Sequence, residues 1–135
     1  MMNKLFSFLT KNKKVIYILL TLITVAILLL TLLPANKLGS NRLYQYDKLG
    51  HFMMFFSWTF VFGLLHISRN REDSNLIFIF FVGALFGIGI EIMQGLMPFG
   101  RSIDLYDAIA DILGTLSATF LLFLIKPIYP PDDGL

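Results

Sequence analysis

The sequence predicts an all-α membrane protein in which four transmembrane helices form a small bundle. The hydrophobic fraction of its 135 residues is 56% and the mean hydropathy is +0.74, which is above the usual range of soluble domains. Four apolar runs of about 19–22 residues, at about 1.5 Å per residue, match a hydrocarbon core roughly 30 Å thick. The sequence has no cysteine, which excludes disulfides, thiol catalysis and cysteine-ligated zinc. We therefore expect one membrane domain over residues 1–135.

The first two spans follow from the distribution of charge. Residues 15–33 contain no charged side chain and follow a lysine-rich start, which favours an uncleaved anchor over a shorter signal peptide. A polar connection with Pro, Asn, Gly and Ser comes next. Asp47 then precedes the second span, predicted over residues 49–67, and a charged turn is predicted over residues 68–75.

The last two spans are bounded by helix breakers. The third is predicted over residues 76–97, where Pro98 and the following glycine end it. The fourth is predicted over residues 105–125, with Asp104 or Ser102 as its N-cap. A Lys-Pro pair follows it and prevents further helix.

The distribution of Lys and Arg predicts that both termini lie in the cytoplasm. The side that carries the termini holds Lys4, Lys11, Lys13, Lys14, Arg69, Arg71 and Lys126. The opposite side holds Lys37, Arg42, Lys48 and Arg101. Because the more basic side faces the cytoplasm, connections 34–48 and 98–104 are predicted to face outward. The formal net charge is only +2, so no nucleic-acid partner is expected.

Several ionisable residues fall inside the predicted spans. An acidic side chain near the middle of a spanning helix costs roughly 2.5–3.5 kcal/mol on insertion scales, so such residues need a reason. Asp104, Asp107 and Asp111 share one helical face because they are three and four residues apart. Short connections between spans two, three and four predict one outward-facing polar site. The candidate ligand-binding residues are Asp47, Lys48, His51, Glu91, Gln94, Arg101, Asp104, Asp107 and Asp111.

The charge of this site predicts proton sharing or the binding of a cationic group. Its five acids face two permanent bases, with His51 optional. Buried carboxylates without partners take up protons or recruit a cation. The sequence contains no recognised metal-binding or cofactor motif, so no metal site or cofactor is predicted.

Several candidates also have a purely structural interpretation. Asp107 and Asp111 could tie the fourth helix to the third, and His51 could be an interfacial histidine hydrogen-bonded to Asp47. Arg101 could anchor at lipid headgroups or clamp a phosphate through its two-pronged geometry. The aromatic residues below His51 are predicted to pack in the core or to contact lipid, and not to form a substrate platform. Those residues are Phe55, Trp58 and Phe62.

Three segments together resemble the pattern of VanZ-like membrane proteins. They are Asp47-Lys-Leu-Gly-His51, Glu91-Ile-Met-Gln94 and Gly100-Arg-Ser-Ile-Asp-Leu-Tyr-Asp107-Ala-Ile-Ala-Asp111-Ile-Leu-Gly114. The resemblance covers about residues 47–118. It implies a bacterial cytoplasmic (inner) membrane protein, multi-pass, in a family whose naming member is associated with low-level teicoplanin resistance. The family often has Asn at the position of Asp111, so this chain carries an additional negative charge.

Three functions are compatible with these residues. The first is a non-enzymatic protein that binds a membrane lipid or lipid-linked envelope component and alters susceptibility to glycopeptides. The second is an intramembrane enzyme in which Glu91, Asp107 or Asp111 is the general acid or base and His51 carries protons. The third is a small proton-coupled transporter, which four helices would support only as a homo-oligomer. The absence of a recognised catalytic motif favours the first function.

Overall fold

The computed structural model describes residues 11–33, 46–98 and 102–128, together with residues 4, 7 and 8. Over these ranges the long elements are four helices, and no strand is present. They are α1 (Lys13–Leu32), α2 (Asp47–Asn70), α3 (Leu76–Leu96) and α4 (Leu105–Ile125). Short 3-10 turns, Arg71–Asp73 and Lys126–Ile128, follow α2 and α4. Each of the four helices is long and apolar enough to cross a membrane, which confirms the predicted all-α, four-span fold.

The largest difference from the predicted bounds is at the end of α2, which continues three residues further, to Asn70. The predicted turn over residues 68–75 is therefore wrong in its first part. Ser68 Oγ donates to the Leu65 carbonyl at 2.8 Å, and Asn70 Nδ2 donates to the His66 carbonyl at 3.0 Å. Both polar side chains therefore have hydrogen-bond partners within the helix itself. The residue after the helix, Arg71, has a φ of 49°, in the left-handed region.

Side-chain caps fix where α3 and α4 begin. Asn75 Oδ1 accepts a hydrogen bond from the Phe78 amide at 3.1 Å, and Asp104 Oδ1 accepts one from the Tyr106 amide at 2.8 Å. Both bonds satisfy amides that have no partner within the helix. Asp104, one of the two predicted caps, thus starts α4.

Helix α2 packs against each of the other three long helices, and its contact with α4 is the most extensive. A Cβ atom added at Gly114 of α4 would lie 3.0 Å from the Phe56 amide nitrogen and closer still to the Phe52 carbonyl oxygen. Ala110 and Ala118, on the same face, are also buried. The small-residue face predicted to pack against protein does so, with α2 as its partner.

Two groups of apolar side chains form the core. Ile27, Phe55, Trp58 and Ile90 pack together in the middle of the bundle. Trp58 also stacks on Phe62 with ring centroids 5.2 Å apart, which confirms the predicted packing role of these aromatic residues. The second group lies where α2 ends and α3 begins, and we call it the apolar end. It consists of Leu64, Ile67, Ile79 and Leu122.

Large apolar side chains are exposed on the outside of the bundle, as expected for contact with lipid. Leu22, Ile77, Leu85 and Phe120 are each more than 60% exposed. At the apolar end, Arg69 Nη1 donates to the Tyr17 hydroxyl at 2.9 Å. This contact brings a basic residue to the end at which α1 begins. The cytoplasmic location of that end stays a prediction.

Candidate functional site

The end of the bundle opposite the apolar end collects ionisable side chains from three helices. Helices α2 and α4 begin there and α3 ends there, because a short connection reverses the chain between α3 and α4. We call this group the polar cluster. It consists of Asp47, Lys48, His51, Glu91, Asp104, Asp107 and Asp111.

His51 stands at the centre of the polar cluster and is only 2% exposed. Its Nδ1 atom lies 2.9 Å from Asp111 Oδ1 and 3.7 Å from Glu91 Oε1. Its Nε2 atom lies 3.8 Å from Asp107 Oδ2 and 4.0 Å from Asp47 Oδ1. The ring is buried and its hydrogen bond is to Asp111, so the prediction of an interfacial histidine hydrogen-bonded to Asp47 is wrong.

Lys48 joins the buried part of the cluster to its surface. Its ammonium donates to Asp107 Oδ1 at 2.5 Å and to Asp104 Oδ2 at 2.8 Å, while about half of its side chain remains exposed. The Lys48 ammonium, together with the Tyr106 amide, holds the pKa of the Asp104 carboxyl below its usual range. The acids of α4 therefore bond to α2, where the sequence suggested a tie to α3.

Glu91 and Asp111 are buried carboxylates with incomplete hydrogen bonding. Glu91 Oε2 accepts a hydrogen bond from the Asp104 amide at 3.3 Å. Across the three described ranges, neither Glu91 Oε1 nor Asp111 Oδ2 has a hydrogen-bond partner. Buried polar atoms are nearly always paired, so two such oxygens in one cluster require an explanation.

A glycine of α3 makes room for Asp111. A Cβ atom at Gly87 would lie 2.9 Å from Asp111 Cβ and 3.3 Å from Asp111 Oδ2. The Gly83-x-x-x-Gly87 spacing that predicts a helix contact therefore also admits a carboxylate between α3 and α4.

One of the nine predicted site residues, Gln94, contacts a different helix. Gln94 is buried, but its Nε2 atom donates to the Thr31 carbonyl of α1 at 2.8 Å. Arg101 lies outside the described residues, and its role stays a prediction.

A pair of buried hydroxyls beneath the cluster was not predicted from the sequence. Thr59 Oγ1 donates to Thr115 Oγ1 at 3.3 Å, and both side chains are fully buried. Thr115 follows Asp111 by four residues and Thr59 follows His51 by eight, so each lies on the same helical face as its acidic or basic neighbour. That spacing was the signal available in the sequence.

Two triplets of side chains in the described ranges have the spacing of metal ligands. In each triplet, one ligand atom per residue lies within 4.8 Å of the others. Asp47, His51 and Asp107 form one triplet. The other consists of His51, Glu91 and Asp111, all buried.

Comparisons with known proteins identify relatives of the chain. The family model described as VanZ/LLP1 matches residues 4–126, which include the whole polar cluster. The chain is 32% identical over 114 residues to "Uncharacterized protein C11E3.10" of Schizosaccharomyces pombe. This match covers 84% of the chain and 65% of that protein, so the chain spans less than two thirds of its relative. No solved structure matches the chain significantly.

Proposed function

This chain belongs to the VanZ/LLP1 family, and we propose that its polar cluster binds the polar headgroup of a membrane lipid or of a lipid-linked envelope component. One observation carries the proposal. Ionisable side chains from three helices converge at one end of the bundle, from half-exposed Lys48 to fully buried Asp111. A gradient from exposed to buried polar groups suits a ligand whose polar part enters from the membrane surface.

The cost of burying these groups supports a role in binding. Ionisable residues within spanning segments are expensive, and they are commonly functional. The described cluster holds five carboxylates against Lys48 and the ionisable His51. This excess of negative charge favours a headgroup that carries a positively charged group.

The partly exposed residues form the rim of the site. Asp47, Lys48 and Asp104 lie where the cluster meets the surface. Carboxylates at the rim suit an amine on the headgroup, and the Lys48 ammonium suits a phosphate oxygen. Arg101 is proposed as a second phosphate contact because its guanidinium binds phosphate in a bidentate manner.

We propose that the rim lies at the outer face of a bacterial cytoplasmic membrane. There, headgroup binding would alter how surface-active glycopeptides such as teicoplanin reach their targets. This part rests on the family resemblance. Expression of the wild-type chain in a susceptible bacterium should raise teicoplanin tolerance, and the Asp107→Asn variant should not. Equal tolerance with and without the wild-type chain contradicts this part of the proposal.

Native mass spectrometry of the purified full chain tests headgroup binding directly. Wild-type protein should retain a membrane lipid, and Asp107→Asn should retain about tenfold less, which corresponds to about 1.4 kcal/mol. Glu72→Gln is the matched control, because it removes an exposed acid at the apolar end. Equal lipid retention by all three proteins would contradict the proposal.

The same preparation separates binding from catalysis. A retained lipid whose mass is unchanged after prolonged incubation supports binding. A lipid converted by wild-type protein but not by Glu91→Gln would instead assign the site to an intramembrane enzyme that uses these carboxylates as acid or base.

A further inference from the structure

Beneath the rim, two buried carboxylates each keep one oxygen without a hydrogen bond. Glu91 is 2% exposed and Asp111 is fully buried. One oxygen of each is held, by the Asp104 amide and by His51 Nδ1 respectively. Within the described part of the chain, Glu91 Oε1 and Asp111 Oδ2 have no hydrogen-bond partner. Leaving such atoms unpaired is costly, so they need either a proton or a cation.

The distances around His51 Nδ1 suit a metal ion. Asp111 Oδ1 lies 2.9 Å from Nδ1, and Glu91 Oε1 lies 3.7 Å from it. Ligands about 2.1 Å from a tetrahedral zinc ion lie about 3.4 Å from one another. The two observed separations fall on either side of this value, and one ligand atom of each of the three residues lies within 4.8 Å of the others.

The groups around the triplet resemble the outer shell of a metal site. The histidine nitrogen that does not bind a metal normally faces a carboxylate or carbonyl, which orients the ring. Here that nitrogen is Nε2, and Asp107 Oδ2 lies 3.8 Å from it. The Asp104 amide similarly orients Glu91 through its second oxygen. The donor set of one imidazole and two carboxylates suits a first-row divalent ion.

The second triplet is less suitable because a cation, the Lys48 ammonium, already contacts one of its carboxylates. Asp107 Oδ1 accepts a hydrogen bond from the Lys48 ammonium at 2.5 Å, and the Asp47 side chain is 37% exposed. A metal ion on this side would be repelled by Lys48.

From this geometry we infer that His51, Glu91 and Asp111 bind one divalent transition-metal ion. The ion offsets the charge of the two buried carboxylates, and three protein ligands leave a coordination position open. The inference goes beyond headgroup binding and does not depend on it, since the triplet lies deeper than the rim.

Zinc binding by the full chain tests the inference. The protein is purified in detergent with a chelator, freed of the chelator and titrated with Zn²⁺ in a calorimeter, and bound metal is counted by mass spectrometry. We expect one zinc per wild-type chain and a loss of affinity greater than about 100-fold in Glu91→Gln and in Asp111→Asn, because removing a ligand exceeds the effect of outer-shell changes. Glu72→Gln is the matched charge control, because Glu72 is exposed at the apolar end, and it should retain the zinc.

The visible absorption of bound Co²⁺ reports directly on the metal ligands. A purely structural role of His51 would not change it. Wild-type protein should give visible absorption bands from a four- or five-coordinate ion, and His51→Gln should shift or abolish them. The chelated wild-type chain serves as the reference for folding by size-exclusion chromatography. Absence of stoichiometric zinc in the wild type would overturn the inference. So would equal zinc binding by Glu91→Gln and Asp111→Asn, or an equal loss in Glu72→Gln. Because no added lipid is present, failure of headgroup binding leaves these results unaffected.

Discussion

The two ends of α2, α3 and α4 hold the same helices together with different chemistry. At the apolar end, Leu64, Ile67, Ile79 and Leu122 fill the space between the helices. At the other end that space is filled by the polar cluster. Because hydrocarbon side chains pack these helices at one end, packing does not require buried charge at the other. The comparison therefore supports a binding role for the cluster.

One face of α4 shows the whole change in chemistry. From the start of the helix to its end, the buried residues on this face are Asp107, Asp111, Thr115, Ala118 and Leu122, at intervals of three or four residues. The face begins with two carboxylates, continues with a hydroxyl that accepts a hydrogen bond from Thr59, and ends in hydrocarbon. A single helix thus serves the site at one end and the core at the other.

The largest expected effect on stability is at the apolar end. Leu122→Ala should lower the free energy of unfolding by about 2–5 kcal/mol, because it leaves a cavity in a fully buried position. Fluorescence of Trp58, the single tryptophan, reports unfolding of the detergent-solubilised protein. Zinc binding by the folded variant should be unchanged. Asp111→Asn should show the opposite result, with zinc binding lost and stability largely kept. Loss of zinc binding in folded Leu122→Ala would show that the two ends are coupled, which contradicts the separation of packing from binding.

A smaller effect is expected where the two kinds of packing meet. Gly114→Ala should lower the free energy of unfolding by about 1–3 kcal/mol, since the added methyl meets the backbone of α2. The added methyl should also weaken zinc binding, because it pushes α4 away from α2 and so moves Asp111 away from His51. Gly89→Ala is the control: its added Cβ meets nothing within 4 Å, so the change should be neutral or slightly stabilising. Equal destabilisation by both variants would contradict the close contact between α2 and α4.

The smallest effect is expected at the rim of the polar cluster. At pH 7, Asp104→Asn should change stability little, because the pair with Lys48 is exposed and Asn retains the helix cap. The variant should instead differ in how its stability depends on pH. The lowered pKa of Asp104 means that its contribution is present above the ordinary aspartate pKa of about 3.9 and is lost as the pH falls through the lowered value. Unfolding measured from pH 5 to pH 2 should therefore depend less steeply on pH in the variant. A steeper dependence would contradict the proposed ion pair.

The sequence by itself determined the class, the four spans and most of the site. Charge-free runs long enough for a bilayer identify the helices, because burying a charge in hydrocarbon is costly. Spacings of three and four residues identify the shared faces, and seven of the nine proposed site residues lie together in the structure. The family segments were also visible, and the family model covers them.

Only the tertiary structure decided which face meets which neighbour. Glu91 and Gln94 are three residues apart on α3, yet Glu91 turns toward His51 and Gln94 toward α1. Residues at this spacing differ by about 60° around a helix, which is enough to separate two neighbours in a bundle. The pairing of His51 with Asp111 joins residues 60 positions apart and depends on how closely α4 approaches α2. Helical periodicity specifies the direction in which a side chain points around its own helix. The residue that it contacts depends on how all four helices pack together.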